Sequence, residues 1–290
     1  MPEKFEIPFT SGTSGPMLEM PEGACDSHHH IFDPERFPYP PDDKRNQPPA
    51  TVESYVHLKR RLGISRSVVI TPSAYKDDNR CTLDAVAKLG DNARAVVVLP
   101  SNAPTERFRE LEGQRVCGVR FNITIDPSIS NQAIKEAAQH AAERNWHLDF
   151  WMPPSRLVAS VDFLSELPCR IVFDHRGNIP KETGVRDPAF VALQRLLDMG
   201  KTWVKISAPY HGGTYPDFPE TLAIGAALIE HSPERVLWGT DWPHPSEYSK
   251  GLPSPDDAAL VDLLESQAPG EDTRHRILVD NPAEIFGFER

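Results

Sequence analysis

Residues 65–99, SRSVVITPSAYKDDNRCTLDAVAKLGDNARAVVVL, carry two β-branched runs on either side of a segment with helical spacing. Ser65–Thr71 and Ala93–Leu99 are apolar on consecutive positions, the pattern of parallel strands covered on both faces. Between them Leu83, Val86 and Leu89 fall on one helical stripe. The same alternation continues outward. Further strand-like runs are Gly23–Ser27, Val116–Phe121, His147–Met152, Arg170–Phe173, Thr202–Ser207 and Arg235–Gly239. Helical stripes recur at 52–62 (Val52, Tyr55, Leu58, Leu62) and 131–144 (Ile134, Ala137, Ala138, Ala141). Asp187-Pro188 before Phe190, Leu193, Leu196 and Leu197 is a helix start, as is Ser254-Pro255-Asp256-Asp257 before Leu260, Leu263 and Leu264. Eight β–α alternations predict an α/β fold, a single-domain (β/α)8 TIM barrel over 23–290. Residues 1–22, rich in Pro, Gly, Ser and Thr, predict an N-terminal extended arm. An open doubly wound sheet is the alternative, but no G-x-G-x-x-G follows the first strand.

Composition narrows the partners. Across 290 residues, 42 acidic and 31 basic side chains give a net charge of −11, which repels nucleic acid and anionic membrane at long range. Cys25, Cys81, Cys117 and Cys169 are widely spaced, without C-x-x-C, as buried core residues of a reducing compartment are. No run has the length of a membrane span, and MPEKFEIPFTSGTSG lacks a basic start followed by an apolar core. A cytoplasmic protein acting on small molecules is expected.

Barrel active sites form where strands end. Reactive side chains gather there: Asp26-Ser27-His28-His29-His30 after strand 1, Thr71-Pro72-Ser73 after strand 2 and Arg120-Phe121-Asn122 at strand 4. Trp151 ends strand 5, Asp174-His175-Arg176 ends strand 6, and Thr240-Asp241-Trp242-Pro243-His244 ends strand 8. On an extended strand His28 and His30 face one side and His29 the other, so two imidazoles can enter the barrel mouth. Paired imidazoles suit metal ligation or support of a developing oxyanion. Asp241 has the chemistry of a general base, although a lone aspartate there is more often a helix cap. The Pro-rich stretch 33–50 opens on the same face, as a lid, a binding wall or a plain surface loop.

These motifs, D-S-H-H-H, V-F-D-H-R-G and W-G-T-D-W-P-H-P, resemble the amidohydrolase superfamily from about Gly23 to Phe288. More closely, they are similar to its 2-pyrone-4,6-dicarboxylate lactonase branch, which includes sugar-acid lactonases and a galactarolactone isomerase. The resemblance implies hydrolysis of the lactone ring of a small anionic substrate without a divalent metal. Asp241 would activate water, and His28, His30 and His175 would polarise the carbonyl. Arg45, Ser73, Arg120, Trp151 and Arg176 are the substrate-binding candidates. The chain departs from the pattern at Asp126, where a second arginine is expected, and at Pro209-Tyr210-His211, where another would follow strand 7. Those departures point away from the pyrone dicarboxylate and toward muconolactone-type, sulfonated muconolactone or sugar-acid lactones. The isomerase branch carries Asn at the position of Asp241, so the carboxylate favours hydrolysis. No cofactor is expected. The alternative is a zinc hydrolase or decarboxylase with His28, His30, His175 and Asp241 as ligands, and a non-catalytic ligand-binding barrel is a third reading.

Overall fold

Eight short strands alternate with helices, and each strand hydrogen-bonds to the next in parallel, in the order β1 to β8. The computed structural model describes residues 6–41 and 47–289. The strands are β1 (Cys25–His29), β2 (Arg66–Ile70), β3 (Ala93–Val97), β4 (Val116–Asn122), β5 (His147–Trp151), β6 (Arg170–Phe173), β7 (Thr202–Lys205) and β8 (Val236–Leu237). Crossovers run through α1 (Val52–Leu62), α2 (Arg80–Leu89), α3 (Thr105–Glu110), α4 (Asn131–Glu143), α5 (Pro154–Ser165), α6 (Pro188–Asp198) and α7 (Pro219–His231). After β8 come α8 (Pro245–Ser249), α9 (Asp257–Gln267), α10 (Glu271–His275) and α11 (Asn281–Phe286). The barrel closes at the β1/β8 seam, where Ser27 N donates to Trp238 O (3.0 Å) and Asp241 N donates to His28 O (2.8 Å). The sequential strand order excludes the doubly wound alternative.

Local chemistry sets the helix boundaries. Thr51 caps α1 by accepting from Ser54 N, and Gly63 ends it in the left-handed region. Ser130 accepts from Ala133 N and Asp187 from Ala189 N in the same way. In α9 the cap is Asp256, accepting from Ala258 N, two residues later than Ser254. Two strands also differ from expectation. Gly23 turns at φ +83°, so β1 starts at Cys25 and carries His28 and His29 within the strand. β8 is two residues long because the chain beyond Leu237 bonds to β1 through loop geometry instead of a regular ladder.

The interior is layered. Cys25, Val68, Val96, Val172, Trp203 and Leu237 form an apolar floor with Phe286 and Phe288 of the C-terminal segment. Arginines at the strand starts hold that segment beneath the barrel: Arg94 donates to Gly287 O (2.8 Å) and Arg170 to Glu284 O (2.9 Å). The floor is therefore closed, and the strand C-termini are left as the open end. All four cysteines are buried and free. Residues 6–22 form no helix or strand. They are nonetheless docked: Trp242 Nε1 donates to Pro8 O (3.0 Å), and Arg61 donates to Thr10 Oγ1 and Gly12 O (both 2.8 Å). Among the described residues no helix is long and apolar enough to cross a membrane.

Candidate active site

At the open end, the backbone leaves ordinary conformations where the reactive residues stand. His175, Arg176, Ala208, Asp241 and His244 all have positive φ between 47° and 60°. Each costs about 1–3 kcal/mol and persists only where surrounding structure enforces it. For Asp241 that enforcement is visible. Thr240 donates from its N and Oγ1 to Asp26 (2.9 and 2.7 Å), which also accepts from His28 N and Tyr55 Oη. Burial raises the Asp26 carboxyl to about 6 despite these four donors. Asp26 thus ties the Asp241 loop to β1, and His29, facing away from the site, stacks on Tyr55 at 3.6 Å.

Asp241 is the focus. Its Oδ1 lies 3.4 Å from His28 Nε2, 3.6 Å from His30 Nε2 and 3.9 Å from His175 Nε2. Its Oδ2 accepts from Tyr210 Oη at 2.7 Å and stands 3.6 Å from His211 Nε2. Burial alone would raise this carboxyl, but the His175, His211, His30 and His28 rings outweigh it and hold it well below the carboxylate range. The carboxylate is therefore ionised. Burial pulls His28 down to about 4 and His175 well below its usual value, although the neighbouring Asp174 and Asp241 carboxylates oppose it. His30 Nδ1 donates to Ile70 O at 2.8 Å. A carbonyl only accepts, so the Nδ1 hydrogen of His30 is committed to Ile70.

Beside the imidazoles lies an ionic layer made by Arg120 of β4, Asp149 of β5, Asp174 just past β6 and Lys205 of β7. Lys205 Nζ donates to Asp149 Oδ2 and to Asp174 Oδ1 (3.0 Å), and stands 3.2 Å from His28 Nδ1. Arg120 Nη2 donates to Asp174 Oδ2 at 2.8 Å. Burial would lower Lys205, but Asp149 and Asp174 together raise it; burial would raise Asp174, but His28, Lys205 and Arg120 hold it well below its usual value. Lys205 is therefore the cation of a buried ion-pair network.

A cavity of about 150 Å³ opens above Asp241. Of the candidates, His30, Ser73, Arg120, Trp151, His175 and Asp241 line it, with Phe32, Pro72 and Ile125 as apolar wall. Arg120 lines the cavity, and its buried Nε has no hydrogen-bond partner among the described residues. Ser73 Oγ accepts from Asn122 Nδ2 at 2.7 Å. Two expectations land elsewhere. His28 is buried behind Asp241 and does not line the cavity. Arg176 donates to the carbonyls of Ser207, Ala208 and His211, so it ties down the loop after β7 and is not among the cavity's lining residues. Arg45 lies outside the described residues, whereas Gln47 and Phe32, at the ends of the Pro-rich loop, do form wall, and an antiparallel bridge from Phe32 to Ala50 closes that loop's base. His211 and Tyr210 were not singled out from sequence as site residues. The signal was present, since both follow β7 as reactive residues follow the other strands.

The match to the amidohydrolase family model runs from residue 25 to 288. The chain belongs to the amidohydrolase family. It is 32% identical over 273 residues to the 4-sulfomuconolactone hydrolase of Hydrogenophaga intermedia, covering 92% of this chain and 90% of that one. It is 30% identical to the 2-pyrone-4,6-dicarboxylate hydrolase of Comamonas testosteroni, covering 97% and 95%. A ligand-free crystal structure from Agrobacterium tumefaciens superposes with a TM-score of 0.83 at 30% identity, covering 94% of this chain and 99% of that one.

The donor set of this amidohydrolase also fits a cation. Ligand atoms of His28, His175 and Asp241 lie within 4.8 Å of one another. His28 Nε2 is buried with no hydrogen-bond partner among the described residues, and it faces a carboxylate. Two imidazoles and a carboxylate are the donors that zinc takes in open sites.

Proposed function

We propose that this amidohydrolase hydrolyses the lactone ring of a small anionic substrate, with Asp241 as the general base. The observation that carries this reading is Asp241 itself, a buried and ionised carboxylate that lines the cavity, with one oxygen tied to Tyr210 and the other beside three imidazoles. Its relatives' named substrates, sulfomuconolactone and pyrone dicarboxylate, are lactones bearing anionic groups. Arg120 holds the substrate's anionic group by its charge, and Trp151 and Phe32 flank the ring. Asp241 Oδ1 takes a proton from water as that water attacks the ring carbonyl. His175 Nδ1 meets Ser207 Oγ at 2.9 Å. A hydroxyl can donate there, which places a hydrogen on His175 Nε2, aimed at the developing oxyanion. The ring C–O bond breaks, and the alkoxide leaving group takes the proton that Asp241 accepted from water, which restores the carboxylate and gives the open hydroxy acid.

A second reading follows from the unpartnered His28 Nε2. There His28, His175 and Asp241 hold a divalent cation, with His30 as the neighbouring donor. When bound, the cation polarises the carbonyl and acidifies water. The test is hydrolysis of a panel of anionic lactones by chelated protein, with metal content measured on the same samples. Turnover that survives chelation and falls at least about 100-fold in Asp241→Asn supports the base. Turnover that disappears on chelation and returns with zinc establishes the second reading.

A further inference from the structure

Asp241 Oδ2 is the first link of a buried chain that leaves the cavity. Tyr210 Oη, which donates to it, lies 2.8 Å from His244 Nδ1, and His244 Nε2 lies 3.3 Å from Asp257 Oδ2. All four side chains are buried to within 2% of full exclusion. The hydrogens along this path are countable. A tyrosine has one, and Tyr210 donates it to Asp241 Oδ2 at 2.7 Å. The Tyr210 oxygen then faces His244 Nδ1 with lone pairs only, and that contact needs a hydrogen on Nδ1. With Nδ1 so committed, one more hydrogen lies between Nε2 and the Asp257 carboxyl. Asp257 in turn sits at the start of α9, and its backbone N donates to Thr10 Oγ1 of the N-terminal arm.

We infer that Tyr210, His244 and Asp257 form a positioning chain that fixes which oxygen of Asp241 reacts. Oδ2 is bound by Tyr210, and Oδ1 is left beside His28, His30 and His175. Tyr210 and His244 touch neither substrate nor water in the reaction; they act through Asp241. The chain gives the left-handed backbone at Asp241 and His244 a purpose, because those conformations bring the two side chains onto opposite sides of the Tyr210 hydroxyl. It also explains why His244, although it begins α8, makes no side-chain capping bond. This role rests on Asp241 acting as the reactive carboxylate.

Two measurements on the full chain test it. With 15N-labelled histidine, His244, identified by its loss in His244→Gln, should show a hydrogen on Nδ1 whose resonance moves in Tyr210→Phe. In turnover, Tyr210→Phe and His244→Gln should each lower kcat about 10- to 100-fold with KM nearly unchanged, the effect of losing one hydrogen bond to a charged group. The double variant should lose little more than either single one, since linked residues act as a unit. Melting curves confirm that the variants remain folded. A bare Nδ1 on His244 means that Tyr210 donates away from Asp241, and it overturns the chain. So do losses confined to KM, or losses that multiply in the double variant. If no lactone is turned over by the unaltered protein, the proposed function fails, while the Nδ1 measurement still decides the chain.

Discussion

The ammonium of Lys205 stands 3.0 Å from Asp174 Oδ1 inside the closed barrel, where neither side chain has any solvent exposure. Asp149 completes the arrangement on the other side, so one cation separates two carboxylates that would otherwise repel across a dry interior. Removing one partner of a buried ion pair strands the other, at about 3–5 kcal/mol. Lys205→Met should therefore destabilise the fold by that order, read as a drop in the denaturant midpoint. An unchanged midpoint would show that the two aspartates are neutral without Lys205.

Arg120 divides its guanidinium between Asp174 below and the cavity above. In Arg120→Gln the ionic layer keeps Lys205 and His28 on Asp174, so the fold survives, but the substrate's anionic group loses a charged donor. A loss of about 1.5–3 kcal/mol of binding is expected, seen as a rise in KM for anionic lactones. A neutral lactone, which makes no such bond, should be unaffected. Equal losses for both substrates would place Arg120 in the scaffold alone.

Zinc distinguishes the two readings of the imidazole cluster. Chelated protein should take up zinc at the preformed His28, His175 and Asp241 donors, and His175→Gln should weaken that uptake. If Asp241 is the base, bound zinc occupies its lone pair and turnover falls. If the cation is required, turnover rises with zinc occupancy. Metal content and rate measured on one titration give the sign directly.

Much of this site was legible in the sequence because barrel geometry converts order along the chain into place. Strand-end residues such as His30, Arg120, Trp151, His175 and Asp241 converge once the eight strands are recognised, and His29 faces away by strand alternation. What sequence periodicity does not reveal is where a long side chain goes after it leaves the backbone. Arg176 follows His175 and looks like an anion clamp, but its left-handed backbone turns it toward the carbonyls beyond β7. The Tyr210–Asp241 bond joins residues 31 apart across the β7 and β8 loops, and no local pattern encodes that meeting. The six-residue α3 is too short to show a helical stripe.

Gly239 marks the tightest point of the seam that delivers Asp241 to the site. A Cβ built there would fall 2.7 Å from His28 N and 2.9 Å from His28 Cβ, and 3.2 Å from Asp26 Oδ1. Two of those neighbours cannot yield without moving the backbone of β1, and Asp26 cannot yield without releasing Thr240. Overpacking of this kind costs about 1–3 kcal/mol, so Gly239→Ala should lower the melting temperature modestly. The effect on turnover should be larger than the stability loss explains, because His28 and the Asp241 loop are displaced together. Gly270→Ala, whose new Cβ would meet only Thr273 Oγ1 at 3.6 Å, is the matched control and should leave turnover unchanged. If Gly239→Ala melts lower but retains full kcat, the seam sets stability alone and Asp241 is positioned by Tyr210 without help from β1.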